Sequence, residues 1–433
     1  MTIRTTLKKN ISNISLLKKQ LLNWGNKQTI CLALDSNNHN EQHSSFDFLL
    51  AVNATSELKL NESKNAFEKL ENYYSKTNDY IFGVLSYDLK NDIEVLNSSN
   101  FDGLQFPELY FFQATKIFIV KDNELTIQYL NSFAQEINTD YKEILATTIT
   151  DFSKQKAIQL QERIAKKDYL ETVRKIQQKI QQGELYEMNF CQEFYAENTT
   201  INPLYTYSKL NRVSKAPFAA YFKENSNYIL GSSPERFIKK TGSKLLSQPI
   251  KGTAKRSKNK GNDTKIQEEL EQDTKERSEN IMIVDLVRND MAKIALKDSV
   301  SVPELCKIYS FEQVHQMIST VTCQVKNNKN PVEIINALYP MGSMTGAPKI
   351  AAMKLIEHYE SSKRSYYSGT IGYITPTGNF DFNVIIRSLL YNSKNKYLSC
   401  SVGGAITANS LPKKEYEECL LKAKAVFEVL EGF

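Results

Sequence analysis

Lys251 lies in the stretch Pro249-Ile250-Lys251-Gly252-Thr253, whose other residues are typical of a buried strand. A charged amine there needs a partner, because burying an unpaired ion is unfavourable. It could form a structural ion pair with a carboxylate, or it could act as a nucleophile, since burial lowers the pKa of a lysine. The residue types alone favour the ion pair. The chemical role requires that the chain also supply a pocket, a metal and a substrate.

Two pairs of glutamates have a spacing that places both side chains on one face of a helix. Glu276 and Glu279 fall in a predicted helix over residues 268–296, and Glu415 and Glu418 repeat the spacing in a later predicted helix. Carboxylates from two helices could form a cage for a hard cation such as Mg²⁺. Taken alone, such pairs are more often surface glutamates that bind nothing.

Two further features could receive an anion. Arg387 interrupts a predicted buried strand over residues 382–391, and a buried cation needs an anionic partner. Gly403-Gly404-Ala405 follows another predicted strand, where the missing side chains would let backbone amides approach a carboxylate.

The elements that must position these residues indicate a mixed α/β chain. Predicted strands cover residues 29–34, 80–87, 109–112 and 124–130, with a helix near 62–74. Apolar residues between 7 and 21 have helical spacing and predict a surface helix. Asp168 and Glu171 have capping-box spacing at the start of a helix that stops at Gly183. Thr345 is the predicted N-cap of a helix with Pro348 in its first turn.

The strand that follows Gly183 carries an amide on its apolar side. Alternation places Gln192 on the same face as Met188, Phe190 and Phe194. A buried amide needs hydrogen-bond partners, so Gln192 is a candidate for a polar role.

Length and composition indicate a soluble globular protein with one very large core or two ordinary domains. The chain has 433 residues, of which 41% are hydrophobic and 24% are charged, and no apolar run is long enough to span a membrane. Residues 151–165 are polar and are the best candidate for a connection between parts 1–160 and 161–433. The six cysteines lack metal-site or disulfide spacing, which favours a reducing cytoplasm.

The net charge of +6 mildly favours anionic partners. The densest basic run, residues 251–265, could bind nucleic acid. It has no interleaved aromatic residue for base stacking, so a solvated loop is the favoured interpretation.

Together, the motifs resemble the chorismate-utilising enzymes, the family of anthranilate synthase component I, aminodeoxychorismate synthase component I, and the isochorismate and salicylate synthases. The family order of motifs is kept in residues 183–192, 233–236, 249–253, 279–290, 342–349, 367–373, 386–388, 403–406 and 415–422. The resemblance implies two large antiparallel sheets stacked as a sandwich with helices outside. Residues 1–160 would contribute strands to that sandwich, and residues 161–433 would form the chorismate-binding region.

The resemblance also implies roles for individual residues. Glu279 and Glu418 would ligate Mg²⁺ directly and Glu276 and Glu415 through water, so that the metal holds the ring carboxylate of chorismate. Glu235 would be the general acid that helps the 4-hydroxyl leave. The remaining substrate contacts would be Gln192, Thr253, His315, Ser343, Tyr367, Arg387, Gly403, Gly404, Ala405 and Lys422. His315 is about equally consistent with simple packing in the core.

Two positions separate the reactions of the family. The position of Gln192 resembles one that holds a water-activating lysine in the isochorismate and salicylate branch, and glutamine cannot act as that base. Position 251 is typically alanine in anthranilate synthases and lysine in the aminodeoxychorismate branch. The resemblance therefore implies amination of chorismate at C4 through a covalent Lys251 adduct, towards 4-aminobenzoate and folate. The alternatives are amination at C2 with loss of pyruvate, as in anthranilate synthase component I, and an inactive scaffold or nucleic-acid-binding protein.

The ammonia needs a source outside this chain. The cysteines and histidines cannot form a glutaminase motif, because the closest pairs lack the glycines of a nucleophile elbow. We therefore expect a separate glutamine amidotransferase subunit as partner.

Overall fold

The computed structural model describes residues 3–39, 43–149, 156–311 and 314–431. The strands in these ranges are β1 Arg4–Asn10, β2 Ile30–Asp35, β3 Phe48–Leu60, β4 Ile81–Leu85, β5 Leu109–Lys121, β6 Glu124–Leu130, β7 Gln161–Glu162, β8 Glu187–Ala196, β9 Phe218–Glu224, β10 Asn227–Ser233, β11 Arg236–Thr241, β12 Lys244–Gln248, β13 Ile250–Lys255, β14 Ser301–Ser310, β15 Val314–Gln324, β16 Gly346–Ala347, β17 Thr370–Ile374, β18 Phe380–Val384, β19 Ser388–Asn392 and β20 Tyr397–Ile406. The α-helices are α1 Ile14–Asn26, α2 Ala66–Thr77, α3 Lys90–Ile93, α4 Ile137–Ala146, α5 Lys166–Gln181, α6 Pro203–Ser214, α7 Lys260–Gln272, α8 Thr274–Ala292, α9 Pro331–Leu338, α10 Lys349–Tyr359 and α11 Pro412–Leu430.

The strands form two antiparallel layers. In the first layer the order is β1, β6, β5, β3, β2, β9, β10, β19, β20 and β8, with β7 and β16 also paired to β8. In the second layer the order is β5, β4, β17, β18, β11, β12 and β15, with β13 and β14 also paired to β15. This arrangement confirms the predicted fold class.

The two layers are one continuous hydrogen-bonded sheet, which the sequence did not predict. The first part of β5 pairs with β4 and its last part pairs with β6, so β5 passes from one layer to the other. β3 follows it along its whole length. The register shifts between Ala54 and Ser56, next to Asn53 with φ +55°, and such a bulge bends a strand.

Alternating residues of the first layer supply two cores. In β2, Leu32 faces the space between the layers, whereas Cys31 and Ala33 face Leu17 and Leu21 of α1. Helices α5, α6 and α11 cover the same outer face, and α2 and α9 contribute to the core of the second layer. Successive side chains of a strand point to opposite faces, and both faces of this layer are covered. Nearly every residue of β2 and β20 is therefore buried.

The predicted strands near residues 29–34, 80–87, 109–112 and 124–130 correspond to β2, β4, β5 and β6. The predicted helix over 268–296 is wrong in its extent, because α7 and α8 meet at Asp273. The carboxylate of Asp273 accepts hydrogen bonds from the amides of Lys275 and Glu276 and so begins a new helix.

Three other local predictions are corrected. The apolar residues between 7 and 21, predicted as one helix, belong to two elements, β1 and α1. Leu7 lies in β1, where it is paired with Ile127 of β6. α5 begins at Lys166, before the proposed capping box. Thr345 is not an N-cap, since α10 begins only after Pro348 and Thr345 donates to the carbonyl of Gly342.

The basic run over 251–265 is only partly a loop, because it consists of most of β13, a connection over residues 256–259 and the start of α7. Part of the proposed connection, residues 150–155, lies outside the described residues. Strands from both sides of it pair with one another, as β2 does with β9 and β4 with β17. The division at residue 160 stays a prediction.

None of the helices in the described part of the chain has the length and apolar character needed to cross a bilayer. All six cysteines are buried and unpaired.

The left-handed backbone at Asn53 predicts a stability difference between two substitutions. Asn53→Val and Asn53→Gly both remove the hydrogen bond to Gln28, but only valine is strained at positive φ. We expect the valine variant to be less stable than the glycine variant by about 1–2 kcal/mol in urea unfolding. Equal free energies of unfolding would show that the bend does not depend on this conformation.

Candidate active site

A bulge in β13 positions Lys251. The pairing of β13 with β15 shifts register between Ile250 and Thr253, and Gly252 between them has φ +86°. A side chain at 252 would be strained and would crowd Glu276, whose Oε2 lies 3.3 Å from the position of an added Cβ. The bulge aims Lys251 at β8, where its Nζ donates to Oε1 of Glu187 at 3.1 Å.

Glu187 is a site residue that the sequence reasoning missed. Its side chain is 1% exposed, and its second oxygen, Oε2, is buried without a hydrogen-bond partner among the described residues. The available signal was alternation, because a strand with Met188 and Phe190 on its core face places residue 187 on the opposite face.

The neighbouring charges decide the direction in which the pKa of Lys251 shifts. Burial lowers the pKa of the amine, but the carboxylates of Glu187 and Glu279 outweigh it, so its pKa lies above the ordinary value. The lowering effect of burial that the sequence predicts is present, and the surrounding carboxylates reverse the net direction of the shift.

Glu235 has the properties of a general acid. It lies between β10 and β11, is 6% exposed, and accepts a 2.6 Å hydrogen bond from Oγ of Ser343. Burial raises its pKa to about 7, although the Ser343 hydroxyl and the charges of Lys251 and Arg387 oppose the shift. A carboxyl group with this pKa can donate a proton near neutral pH.

The four predicted metal ligands lie on α8 and α11 in a region of excess negative charge. Burial and the neighbouring Glu279 raise the pKa of Glu276 to about 7, and burial also raises the pKa of Glu279 and Glu415. Lys275 lies 3.6 Å from Glu279 and 3.8 Å from Glu415 and partly balances them. Glu418 pairs with Lys422 at 2.7 Å.

These ligands are oxygen donors, which suits a hard cation such as Mg²⁺. The four carboxylates repel one another, and a bound cation would neutralise their excess negative charge. Within the described residues, however, no three acidic, histidine or cysteine side chains converge closely enough to hold a metal ion. A cage would therefore require these glutamates to move together.

The site also contains a half-buried cation on which the charges of Glu418 and Glu235 act. Arg387 connects β18 to β19 with φ +50°, a strained conformation for arginine. Burial lowers its pKa, while the charges of Glu418 and Glu235 raise it. No carboxylate in the described ranges lies within 4 Å of its guanidinium, so it is available to bind an anion.

The remaining substrate-contact predictions fall partly around this group. Tyr367 is 4% exposed and its hydroxyl lies 3.7 Å from Sγ of Cys191. Lys422 donates to the carbonyl of Gly403 at 2.7 Å. A Cβ added to Gly404 would lie 3.4 Å from Glu415 and 3.6 Å from Glu418, so the glycine run reaches the carboxylates. Ala405 follows on the same strand, and Thr253 is exposed beside the Lys251 bulge.

Gln192 and His315 are not brought into this group. Gln192 pairs across strands with Val402 and shares its face with Phe194, towards the helices, as alternation predicted. Its amide atoms are buried and have no hydrogen-bond partner in the part of the chain that the structure describes. His315 contacts Ser310 at 2.8 Å and Asp263 at 3.1 Å. These contacts explain its burial without a ligand.

Comparison with known proteins identifies the family of the chain and agrees with its fold. A family described as chorismate binding enzyme matches residues 21–428. The chain therefore belongs to the chorismate binding enzymes. It is 36% identical over 271 residues to aminodeoxychorismate synthase component 1 of Escherichia coli, and this match covers 63% of the chain and 59% of that protein, less than two thirds of its length.

Two further relatives cover more of the chain. An anthranilate synthase component I-like protein of Synechocystis is 34% identical over 353 residues, which are 81% of this chain and 72% of that protein. The crystal structure of anthranilate synthase component I from Streptococcus pneumoniae superposes with a TM-score of 0.76, over 90% of this chain and 95% of that chain, at 23% identity. That likeness establishes the fold.

The raised pKa of Glu235 predicts a pH-dependent stability. Its folded-state value of about 7 exceeds the ordinary 4.5, so between these values the folded protein holds a proton that the unfolded chain has released. Raising the pH through this window therefore removes stability. We expect the free energy of unfolding of Glu235→Gln, relative to that of the unmodified chain, to increase by about 2 kcal/mol when the pH is raised from 5 to 8.

Urea unfolding in EDTA at both pH values measures this difference. Glu333→Gln removes a half-exposed carboxylate and is the matched control. A constant difference for Glu235→Gln across the two pH values would contradict the assignment.

Proposed function

We propose that this protein aminates chorismate at C4 to 4-amino-4-deoxychorismate, using Lys251 as a covalent nucleophile and Glu235 as the general acid. The observation that carries the proposal is that a strand bulge places the amine of Lys251 against the buried carboxylate of Glu187. The charge of the same amine also acts on Glu235, a second carboxyl group that can hold a proton near neutral pH. Relatives that bear the name aminodeoxychorismate synthase component 1 support it. The product would serve the synthesis of 4-aminobenzoate and folate in a reducing cytoplasm.

Chorismate is a dicarboxylate, and the charged groups suggest how each carboxylate is held. The guanidinium of Arg387, with Tyr367 and the amides of residues 403–405, would receive the enolpyruvyl carboxylate. Glu276, Glu279, Glu415 and Glu418 would hold Mg²⁺. When bound, that ion supplies positive charge for the ring carboxylate.

The first chemical step requires that Lys251 lose its proton. Glu187 already accepts a hydrogen bond from the amine, so it is the nearest acceptor for that proton. The neutral amine forms a bond to C2 as the ring double bond shifts and the C4–O bond breaks. Glu235 gives its proton to the departing hydroxide, which leaves as water.

The second step reverses the displacement with a different nucleophile. Ammonia forms a bond to C4, the double bond shifts back, and the C2–N bond to Lys251 breaks. The released amine is neutral, and the new ammonium group at C4 returns a proton to the carboxylate of Glu235. The enolpyruvyl group is retained throughout.

Anthranilate synthesis is the second candidate, because relatives named as anthranilate synthase proteins are 30–34% identical to this chain. In that reaction ammonia attacks C2 and pyruvate is lost. Lys251 would then have no covalent role. Product identification by mass and fluorescence separates the two reactions.

A covalent intermediate predicts a modified lysine. Incubation with chorismate and Mg²⁺ without ammonium should leave an adduct on the peptide containing Lys251, seen by mass spectrometry. Lys251→Ala should lose the adduct and at least about 100-fold of C4 amination, because the activated nucleophile is absent. Lys255→Ala, on the same strand, is the control. An unmodified Lys251 combined with full activity of the alanine variant would refute the mechanism.

If a separate amidotransferase supplies the ammonia, the isolated chain should depend on free ammonium as its nitrogen source. The isolated chain should use ammonium but not glutamine, and glutamine-dependent turnover should appear only when a glutamine amidotransferase subunit is added. Glutamine hydrolysis by the purified chain alone would contradict this partner assignment.

A further inference from the structure

Lys275 places an ammonium group between the two helices that carry the candidate metal ligands. Its Nζ lies 3.6 Å from Oε1 of Glu279 on α8 and 3.8 Å from Oε1 of Glu415 on α11. The contact with Glu279 follows from the i,i+4 spacing on one helix, whereas the contact with Glu415 joins two helices. One amine thus partly balances carboxylates from both halves of the predicted cage.

The charge of Lys275 also reaches the other two candidate ligands. It lowers the pKa of Glu276 and Glu418 as well as that of Glu279 and Glu415, in each case against the raising effect of burial. A cation that acts on all four carboxylates has the electrostatic effect there that a bound metal ion would have.

Two other lysines near these carboxylates are held by further partners. Lys251 donates a hydrogen bond to Glu187, and Lys422 donates one to the carbonyl of Gly403. Both contacts of Lys275 are longer than a hydrogen bond, and no acceptor in the described ranges fixes its ammonium group more closely. Lys275 is therefore the lysine of this group that is held most loosely.

The Lys275 amine can leave the gap without being buried elsewhere. Its side chain is 49% exposed, whereas that of Glu415 is 3% exposed, so the amine reaches a buried carboxylate from the solvent side. Lysine has a flexible four-carbon stem and a strongly hydrated ammonium group, so rotation of the side chain alone returns the charge to water. The backbone can stay in place, since the amide of Lys275 donates to the capping carboxylate of Asp273.

We propose that Lys275 competes with a divalent cation for these carboxylates, so that binding of the metal requires the ammonium group to withdraw into solvent. The inference rests on the part of the proposed function in which the four glutamates hold Mg²⁺. Two positive charges in one gap repel each other, so the amine and the ion do not share the carboxylates.

The competition would act on both the affinity and the choice of ion. A divalent ion carries twice the charge of the ammonium group and can replace it, whereas Na⁺ or K⁺ offers no gain in charge. Lys275 would thus set the metal concentration at which the site fills and would favour divalent over monovalent ions.

Binding of Mn²⁺ measures this competition without turnover. Mn²⁺ also accepts oxygen ligands, and the EPR signal of the free ion reports how much is bound. In the absence of chorismate, Lys275→Met should lower the Kd for Mn²⁺ about tenfold, because the competing charge is gone. Lys275→Arg keeps the charge and should have a Kd within about threefold of the unmodified chain.

Lys265→Met is the matched control. Lys265 forms an i,i+4 pair with Glu269 at 3.7 Å on the preceding helix α7, so the substitution removes the same charge and the same kind of contact. Its Kd for Mn²⁺ should stay within about twofold of the unmodified chain, because solvent screens a more distant charge. An equal gain in affinity for Lys265→Met would show that net charge governs binding, and it would overturn the inference.

Urea unfolding separates competition from a purely structural contact. In EDTA, the free energy of unfolding of Lys275→Met should be lower than that of the unmodified chain by about 1.4 kcal/mol, the equivalent of a tenfold change in Kd. In saturating Mg²⁺ the two values should be equal, because the bound metal has already displaced the ammonium group of the unmodified chain. An equal loss in both conditions would mean that Lys275 only supports the fold.

Two results of the binding experiment would also overturn the competition. One is an unchanged Kd for Mn²⁺ in Lys275→Met, and the other is an unchanged Kd in Glu279→Gln, since the ion would then bind at another place. Failure of the proposed function is a separate result. In that case Lys275→Met would bind Mn²⁺ more tightly than the unmodified chain, yet no C4-aminated product would form.

Discussion

Lys251 and Glu187 form an ion pair in a region where carboxylates outnumber cations. The glutamates of α8 and α11 repel one another, which contributes to the raised pKa of Glu276 and Glu279. The same negative charge keeps the Lys251 amine protonated. A cation that neutralised these carboxylates would lower the pKa of that amine. Ion binding and activation of the nucleophile are thus two consequences of one electrostatic constraint.

Each charged group owes its position to a local backbone feature. The bulge at Gly252 aims Lys251, and the cap at Asp273 places Glu276 in the first turn of α8. Arg387 itself has a left-handed backbone conformation between two strands. These features lie at ends and irregularities of elements, where side chains can point into a cleft without disturbing the regular pairing.

The sequence predicted those parts of the fold whose signal is local and periodic. Short apolar runs found β2, β4, β5 and β6, and alternation placed Gln192 on the correct face. It could not show that β5 joins both layers, because the partners β4 and β6 are selected by tertiary packing. Apolar spacing predicted one continuous helix over 268–296, whereas in the structure Asp273 separates α7 from α8.

The chemistry of the site was predictable in a similar, partial way. Motif order identified Glu235, Lys251, Arg387 and the four glutamates, which the structure places on neighbouring elements. Glu187 was missed because its importance comes from the amine facing it across the cleft. The sequence left the protonation state of Lys251 open, since burial and nearby charge act in opposite directions and only distances decide between them.

The continuity of the two layers has a consequence for how the chain folds. β4 must find β17, β2 must find β9, and β8 must find β20, so strands from distant parts of the chain complete one sheet. Pairings of this kind require closing long loops before any contact is gained, and chains rich in them fold slowly. The cleft is built from residues between 187 and 422, so it takes shape only when that closure is nearly finished. Partly folded chains would expose unpaired strand edges during this interval and would be prone to associate with one another.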